Sequence, residues 1–187
     1  MKIKSTALVD VLIIEPAVFS DIRGEFLEIY HRTRFRGKGL GSDFVQDNLS
    51  VSKKGVLRGL HYQIKRPQAK LIQVIAGEVF DVAVDLRPES NTFGKWAGAI
   101  LSDQNRHQLY IPERFAHGFC VLSETAHVVY KCSDYYHPED EGGIIWSDAR
   151  INIDWPIRKP VVSEKDRGLP QLKDLAPDHL PGLKETA

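Results

Sequence analysis

Short runs of β-branched, aromatic and alternating residues, cut at close intervals by turn residues, dominate this chain and leave little room for anything but antiparallel β structure. Residues 7–19 read as strand, Asp21-Ile22-Arg23-Gly24 as a turn, and 25–31 as a further alternating run. The stretch 32–43 carries Gly37, Gly39 and Gly41 among basic residues and reads as a mobile loop. Residues 45–52 form the next strand, Lys53-Lys54-Gly55 a turn, and 56–64 a strand that Pro67 closes, since proline has no N–H to give to a ladder. Residues 70–87 give two long strands broken at Ala76-Gly77-Glu78, and 95–101, 108–111, 117–123 and 126–135 add more. Helical signal is weak: Ser102 suits the cap of a single turn over 102–107, and 163–175 opens with Ser-Glu-Lys-Asp but is limited by Pro170. The last residues, from Ala176 on, read as a polar tail. There is no repeat of fixed period. The pattern predicts a mainly β fold, a sandwich or barrel of antiparallel strands with few short helices.

The alternation also says where polar groups gather. Phe80, Val82 and Val84 share one face of their strand and Asp81, Ala83 and Asp85 the other. Gln46 and Asn48 share a face, as do His61 and Gln63, and Tyr130 and Cys132. Alternation alone is compatible with a half-wet sheet or with a polar cavity inside a barrel. The setting of these residues within long, mostly apolar strands favours the cavity, where ligands commonly bind.

Composition narrows the partner. With 187 residues, 25 Lys+Arg against 25 Asp+Glu and 42% hydrophobic residues, the chain suits one ordinary globular domain without the basic excess that holds a nucleic-acid polymer. A local cluster of Arg and Lys serving one small anion remains open. Cys120 and Cys132 lie in apolar runs and read as buried thiols, too few for a disulfide scaffold. The basic start is followed by an apolar stretch broken by Asp10 and Glu15, unlike a signal peptide, and no run is long and apolar enough to span a bilayer. The expectation is a soluble, cytoplasmic protein with no membrane partner.

Most histidines have ordinary readings. His31 and His107 lie among charges, His137 precedes Pro138 in a turn, and His179 is in the tail, whereas His61, His117 and His127 belong to strands. His61 follows Arg58-Gly59-Leu60, where the glycine permits close backbone approach. A metal-binding barrel would want His-X-His, but the sequence reads His61-Tyr62-Gln63, with no Glu in the next ten residues and Lys70 in that neighbourhood. A lysine favours an anion or a developing oxyanion over a divalent ion, so no metal is expected.

Taken together, ordered segments resemble the dTDP-4-dehydrorhamnose 3,5-epimerase family. They include Phe19-Ser-Asp-Ile-Arg23-Gly24, Gln46-Asp47-Asn48, Leu57-Arg58-Gly59-Leu60-His61-Tyr62-Gln63, Gly77-Glu-Val-Phe-Asp-Val-Ala-Val-Asp85-Leu-Arg87 and Ile111-Pro112-Glu-Arg-Phe-Ala116-His117-Gly118-Phe119. Tyr130-Lys131-Cys132, Glu141-Gly-Gly-Ile-Ile-Trp146, Ile153-Asp154-Trp155-Pro156 and Ser163-Glu164-Lys165-Asp166 continue the series, which runs from about residue 5 to 175. The resemblance implies a single cupin-type jelly-roll barrel, free of metal and cofactor and usually a homodimer. It would invert C3 and C5 of dTDP-4-dehydro-6-deoxy-D-glucose, a dTDP-4-keto-6-deoxyhexose, to give dTDP-4-dehydro-L-rhamnose.

By that resemblance His61 is the base, Asp166 the group that orients it, Tyr130 the acid on the opposite face, and Lys70 the cation near the C4 oxygen. Arg23 and Arg58 match positions near the pyrophosphate, and Lys165 matches another ligand contact. Glu28, Gln46, Asp47 and Asn48 match residues lining the substrate site, Glu141 lies in a matching loop and is taken as a further substrate contact, and His117 matches a residue close to the sugar. Arg23 and Glu28 would act across the dimer interface. Residues beyond about 175 fall outside the resemblance and receive no role. Inversion at one carbon only, or a non-catalytic sugar-nucleotide-binding cupin, are the alternatives.

Overall fold

Turn residues fold the chain back on itself so that nearly every strand finds an antiparallel neighbour. In a computed structural model, which describes residues 1–40 and 43–182, the strands are β1 (Lys2–Ser5), β2 (Leu12–Glu15), β3 (Val18–Asp21), β4 (Gly24–Leu27), β5 (Gln46–Lys53), β6 (Leu57–Gln63) and β7 (Lys70–Ala76). They continue as β8 (Glu78–Asp85), β9 (Trp96–Ser102), β10 (Gln108–Ile111), β11 (Phe115–Val121), β12 (Thr125–Cys132) and β13 (Glu141–Gly143), with helices α1 (Arg32–Arg36) and α2 (Glu164–Arg167). One sheet has the order β1-β2-β10-β7-β12-β5, a second β13-β6-β11-β8-β9, and β3 and β4 form a hairpin of their own. The mainly β, antiparallel fold is the one the strand runs predict.

The two large sheets face each other. Ile72, Val74, Leu109 and Val128 of the first meet Val79, Leu101, Phe119 and Val121 of the second in the main core. Outside the second sheet, Leu60, Tyr62, Val82 and Val84 pack under Ile144, Ile151 and Leu172. Outside the first, Ile14, Leu71 and Tyr110 are covered by Phe35 and Leu40. Burying both faces of the central strands explains why they read as near-continuous apolar runs.

Several local expectations change. The run 7–19 is not one strand: the Thr6 hydroxyl donates to the Leu8 and Val11 carbonyls and accepts from the Leu8 N–H, folding β2 back on β1, and Pro16 separates β2 from β3. The expected loop over 32–43 opens with α1, whose N-cap His31 accepts from the Arg34 N–H and whose Phe35 is buried. Asp43 bridges Arg32 and Arg36, and Gly41 lies outside the described residues. A single apolar residue in a basic stretch gives no helical period to read. The turn after β9 is as expected, with Ser102 Oγ accepting from Asn105 N–H. The tail is not loose through residue 182: Leu180 packs in the cluster outside the second sheet, and Gly182 N–H donates to the Ile64 carbonyl at 2.8 Å.

Candidate active site

At one end of the sandwich the core gives way to a cavity of about 780 Å³ between the two sheets. Period-two alternation builds its walls. On the first sheet, register sets Tyr130 against Asn48, and Cys132 against both Gln46 and Lys70, so these side chains share the inner face. On the second sheet, His61 and His117 are register partners and both line the cavity. The loop before α2 and α2 itself bring Ser163, Lys165 and Asp166 to its rim.

Asp166 Oδ1 lies 2.7 Å from His61 Nε2. Asp166 is buried; its Oδ2 accepts from the Gly59 N–H at 3.2 Å, and its own N–H is capped by Ser163 Oγ at 3.1 Å. Burial pushes the Asp166 carboxyl up, but the His61 bond, the His61 charge and the Gly59 N–H together hold it below the usual range. This leaves Nδ1 of His61 as the ring nitrogen able to take up a proton. Gly59 makes the arrangement possible: its φ is +108°, and a Cβ there would lie 2.6 Å from the His117 carbonyl oxygen.

A second histidine–carboxylate pair lies deeper. His117 Nε2 is 2.9 and 3.0 Å from the Asp81 carboxylate oxygens, and both residues are buried. Burial lowers the His117 pKa, Asp81 opposes that, and the charges of Lys70 and His61 lower it further. Lys70 has no ion-pair partner among the described residues; burial draws its pKa down against the raising charges of Cys132, Asp81 and Glu141. Tyr130, whose ring centroid is 6.4 Å from that of His117, is held above its ordinary pKa mainly by burial.

The rim is charged and hydrogen-bonded. Glu141 Oε2 accepts from Lys165 Nζ and from Tyr136 Oη, each at 2.5 Å. The bond to Glu141 pushes the exposed Tyr136 hydroxyl up to about 12. Burial raises the Glu141 carboxyl, while Lys165, Tyr136 and His61 outweigh it and leave it below the usual range. Tyr136 N–H donates to Gln46 Oε1, Gln46 Nε2 to Asn48 Oδ1, and Asn48 Nδ2 to Cys132 Sγ, fixing both amides. Arg58 Nε donates to Ser52 Oγ at 3.0 Å.

The structure thus brings together His61, Lys70, Tyr130, Asp166, Gln46, Asn48, Arg58, His117, Glu141 and Lys165. It does not bring in Asp47, which alternation turns to the outer face, where Lys131 Nζ donates to both its oxygens at 2.9 Å. Arg23 sits on the exposed β3–β4 turn, paired with Asp21, and Glu28 pairs with Arg34 beside a separate hollow of about 410 Å³. Both lie away from this chain's own cavity. Sequence reasoning missed Tyr136 as a member of the site and Asp81 as the buried partner of His117 behind it. An aspartate facing inward from an apolar strand was a usable signal for Asp81, whereas Tyr136 lies in an irregular segment with no period. Gln63 stands where a second metal-binding histidine would, and among the described residues no group of three or more His, Cys, Asp or Glu is placed to hold a metal ion.

Comparison with known proteins gives the family. A family model described as dTDP-4-dehydrorhamnose 3,5-epimerase matches residues 5–174. A protein of that name from Methanothermobacter thermautotrophicus is 52% identical over 172 residues, covering 90% of this chain and 93% of its own. One from Neisseria gonorrhoeae is 58% identical over 167 residues, covering 89% of this chain; the chain spans 51% of that relative's length. Among solved structures, dTDP-6-deoxy-D-glucose-3,5-epimerase from Legionella pneumophila, in complex with dTDP-4-keto-L-rhamnose, superposes with a TM-score of 0.94 at 48% identity, covering 100% of this chain and 99% of that one. The chain belongs to the dTDP-4-dehydrorhamnose 3,5-epimerase family.

Proposed function

We propose that the chain inverts C3 and C5 of dTDP-4-dehydro-6-deoxy-D-glucose to give dTDP-4-dehydro-L-rhamnose. The observation that carries this reading is the placing of His61 on β6, paired with Asp166 of α2, and of Tyr130 on β12 on facing sheets of one cavity, with Lys70 among the same lining residues. A C–H next to a ketone becomes removable when the enolate oxygen meets a positive charge. His61 takes the proton on one face, Asp166 stabilises the resulting imidazolium, Lys70 faces the C4 oxygen, and Tyr130 returns a proton to the other face. Tyr130 suits that role because burial keeps its hydroxyl protonated at neutral pH. Only protons are exchanged, so the route is redox-neutral and calls for no cofactor.

The nucleotide would lie at the rim, with Arg58 and Lys165 near the pyrophosphate and Glu141, Gln46 and Asn48 on its polar edges. The β3–β4 hairpin exposes Phe19 (64%) and Phe26 (71%) next to Arg23, which supports a homodimer in which Arg23 and Glu28 reach the partner's cavity. No helix among the described residues is long and apolar enough to cross a membrane, and a nucleotide-sugar substrate fits a cytoplasmic enzyme.

Proton NMR of the substrate incubated with the protein in D2O tests the proposal. Deuterium at both C3 and C5, with the L-rhamno product trapped by a reductase, is the expected result. Exchange at one carbon only would make the chain a mono-epimerase, and tight nucleotide binding without exchange would make it a binding module.

A further inference from the structure

The base stands on a strand close to the edge of its sheet. Beyond β6 there is only β13, which pairs with it over Gln63, Tyr62 and His61. A shift of about 1 Å at a catalytic group costs as much as a hundredfold in rate. What holds β6 from behind is therefore of functional interest.

Tyr62 lies between His61 and Gln63, and its ring packs in the cluster outside the second sheet with Ile144, Leu175 and Leu180. The ring also covers β13 closely: a Cβ on Gly142 would come within 2.5 Å of it. The Tyr62 hydroxyl donates to the His179 carbonyl at 2.8 Å. Two residues later Arg114 Nε donates to the Pro181 carbonyl at 3.1 Å, while its guanidinium is held by Glu89. The next residue, Gly182, donates its N–H to the carbonyl of Ile64, which directly follows β6. The tail is thus bonded at three neighbouring points, two of them to residues of β6 or its continuation. It lies beyond the family match, which ends at 174.

We propose that residues 175–182 form a strap that positions the catalytic strand, and that Tyr62 is the positioning residue through which it acts. The inference rests on the proposed role of His61. The strap covers the outer face of β6, fixes Tyr62, and so holds the His61 and Gln63 backbone on either side of it at the distance Asp166 requires. Covering apolar surface alone would stabilise the whole fold and leave the local geometry of β6 unchanged.

The test uses full-length Tyr62→Phe, Leu180→Ser and the double variant, with kcat and KM from deuterium wash-in and backbone amide exchange followed in β6 and in the central strand β8. Tyr62→Phe keeps the ring and removes one hydrogen bond, so kcat should fall about fivefold with KM within about twofold. Leu180→Ser should lower kcat by at least as much, and the double variant should be no slower than the slower single one, because both changes cut the same link. Amide exchange should rise in β6 and stay unchanged in β8. Unchanged kcat in both variants, effects that multiply, or exchange rising equally in β6 and β8 would overturn the strap. Should Leu180→Ser fail to fold, Tyr62→Phe alone carries both readouts. If the wild-type protein exchanges no substrate protons, the epimerase reading fails, while the β6 amides still report whether the strap holds the strand.

Discussion

Two histidines, each paired with a carboxylate, line one cavity, yet the pairs are built differently. His61 is 30% exposed and takes its partner from α2, more than a hundred residues away, whereas His117 is 7% exposed and takes Asp81 from the strand beside it. A pair assembled from strand and loop at a cavity wall can accept and release a proton as substrate arrives. A pair locked between central strands, with burial opposing its charge, is suited to hold one protonation state and one geometry. The same chemistry, placed at different depths, gives an accessible pair suited to the proposed base in one case and a fixed wall in the other.

The largest contrast should come from truncating each histidine. His61→Ala is expected to lower kcat by about a thousandfold, the scale of general-base catalysis, while dTDP affinity by calorimetry and the melting temperature stay near wild type. His117→Ala should instead cost about 3–5 kcal/mol of stability, because it strands the Asp81 charge in the interior; urea unfolding measures this. A stable His117→Ala and a collapsed His61→Ala would invert the comparison.

The pH dependence of stability sharpens it. Burial holds His117 below its ordinary 6.5, so on acidification the unfolded chain binds a proton more readily than the folded one. Stability contributed by this group therefore rises with pH and is lost as pH falls below about 6.5. Asp166 has the same sign in a lower window: its carboxyl is also depressed, so its contribution is complete above the unfolded carboxylate pKa and disappears only in stronger acid. Urea midpoints at pH 7 and pH 5.5 should differ for the wild-type protein, and the difference should shrink in His117→Gln. An undiminished difference would assign the effect to another group.

A smaller effect separates two neighbours on β5. Asn48 faces the cavity and Asp47 faces out to Lys131, so Asn48→Ala should raise KM several-fold, while Asp47→Ala should change kcat/KM by no more than about twofold, as for an exposed ion pair. Equal losses would mean that Asp47 meets substrate or a partner chain.

These cases show what the sequence could and could not reveal. Period-two alternation sufficed to group Gln46 with Asn48, and Tyr130 with Cys132, because a strand has only two faces. Family resemblance nominated Gln46-Asp47-Asn48 as a block, and only the pleat separates the middle residue from its neighbours. The partnership of His61 with Asp166 depends on a loop returning to β6, which no local pattern encodes. The helix α1 was hidden by its single apolar residue, Phe35, and the segment 175–182 by its prolines and glycine, which leave no period to read although Leu180 packs in the outer cluster.

The central claim is that acid and base act from facing sheets. Its most direct test is Tyr130→Phe in D2O, with deuterium content and configuration at C3 and C5 read together by NMR. With His61 intact and the acid removed, substrate protons should exchange while inversion falls by about a hundredfold. Inversion at the wild-type rate would contradict the account.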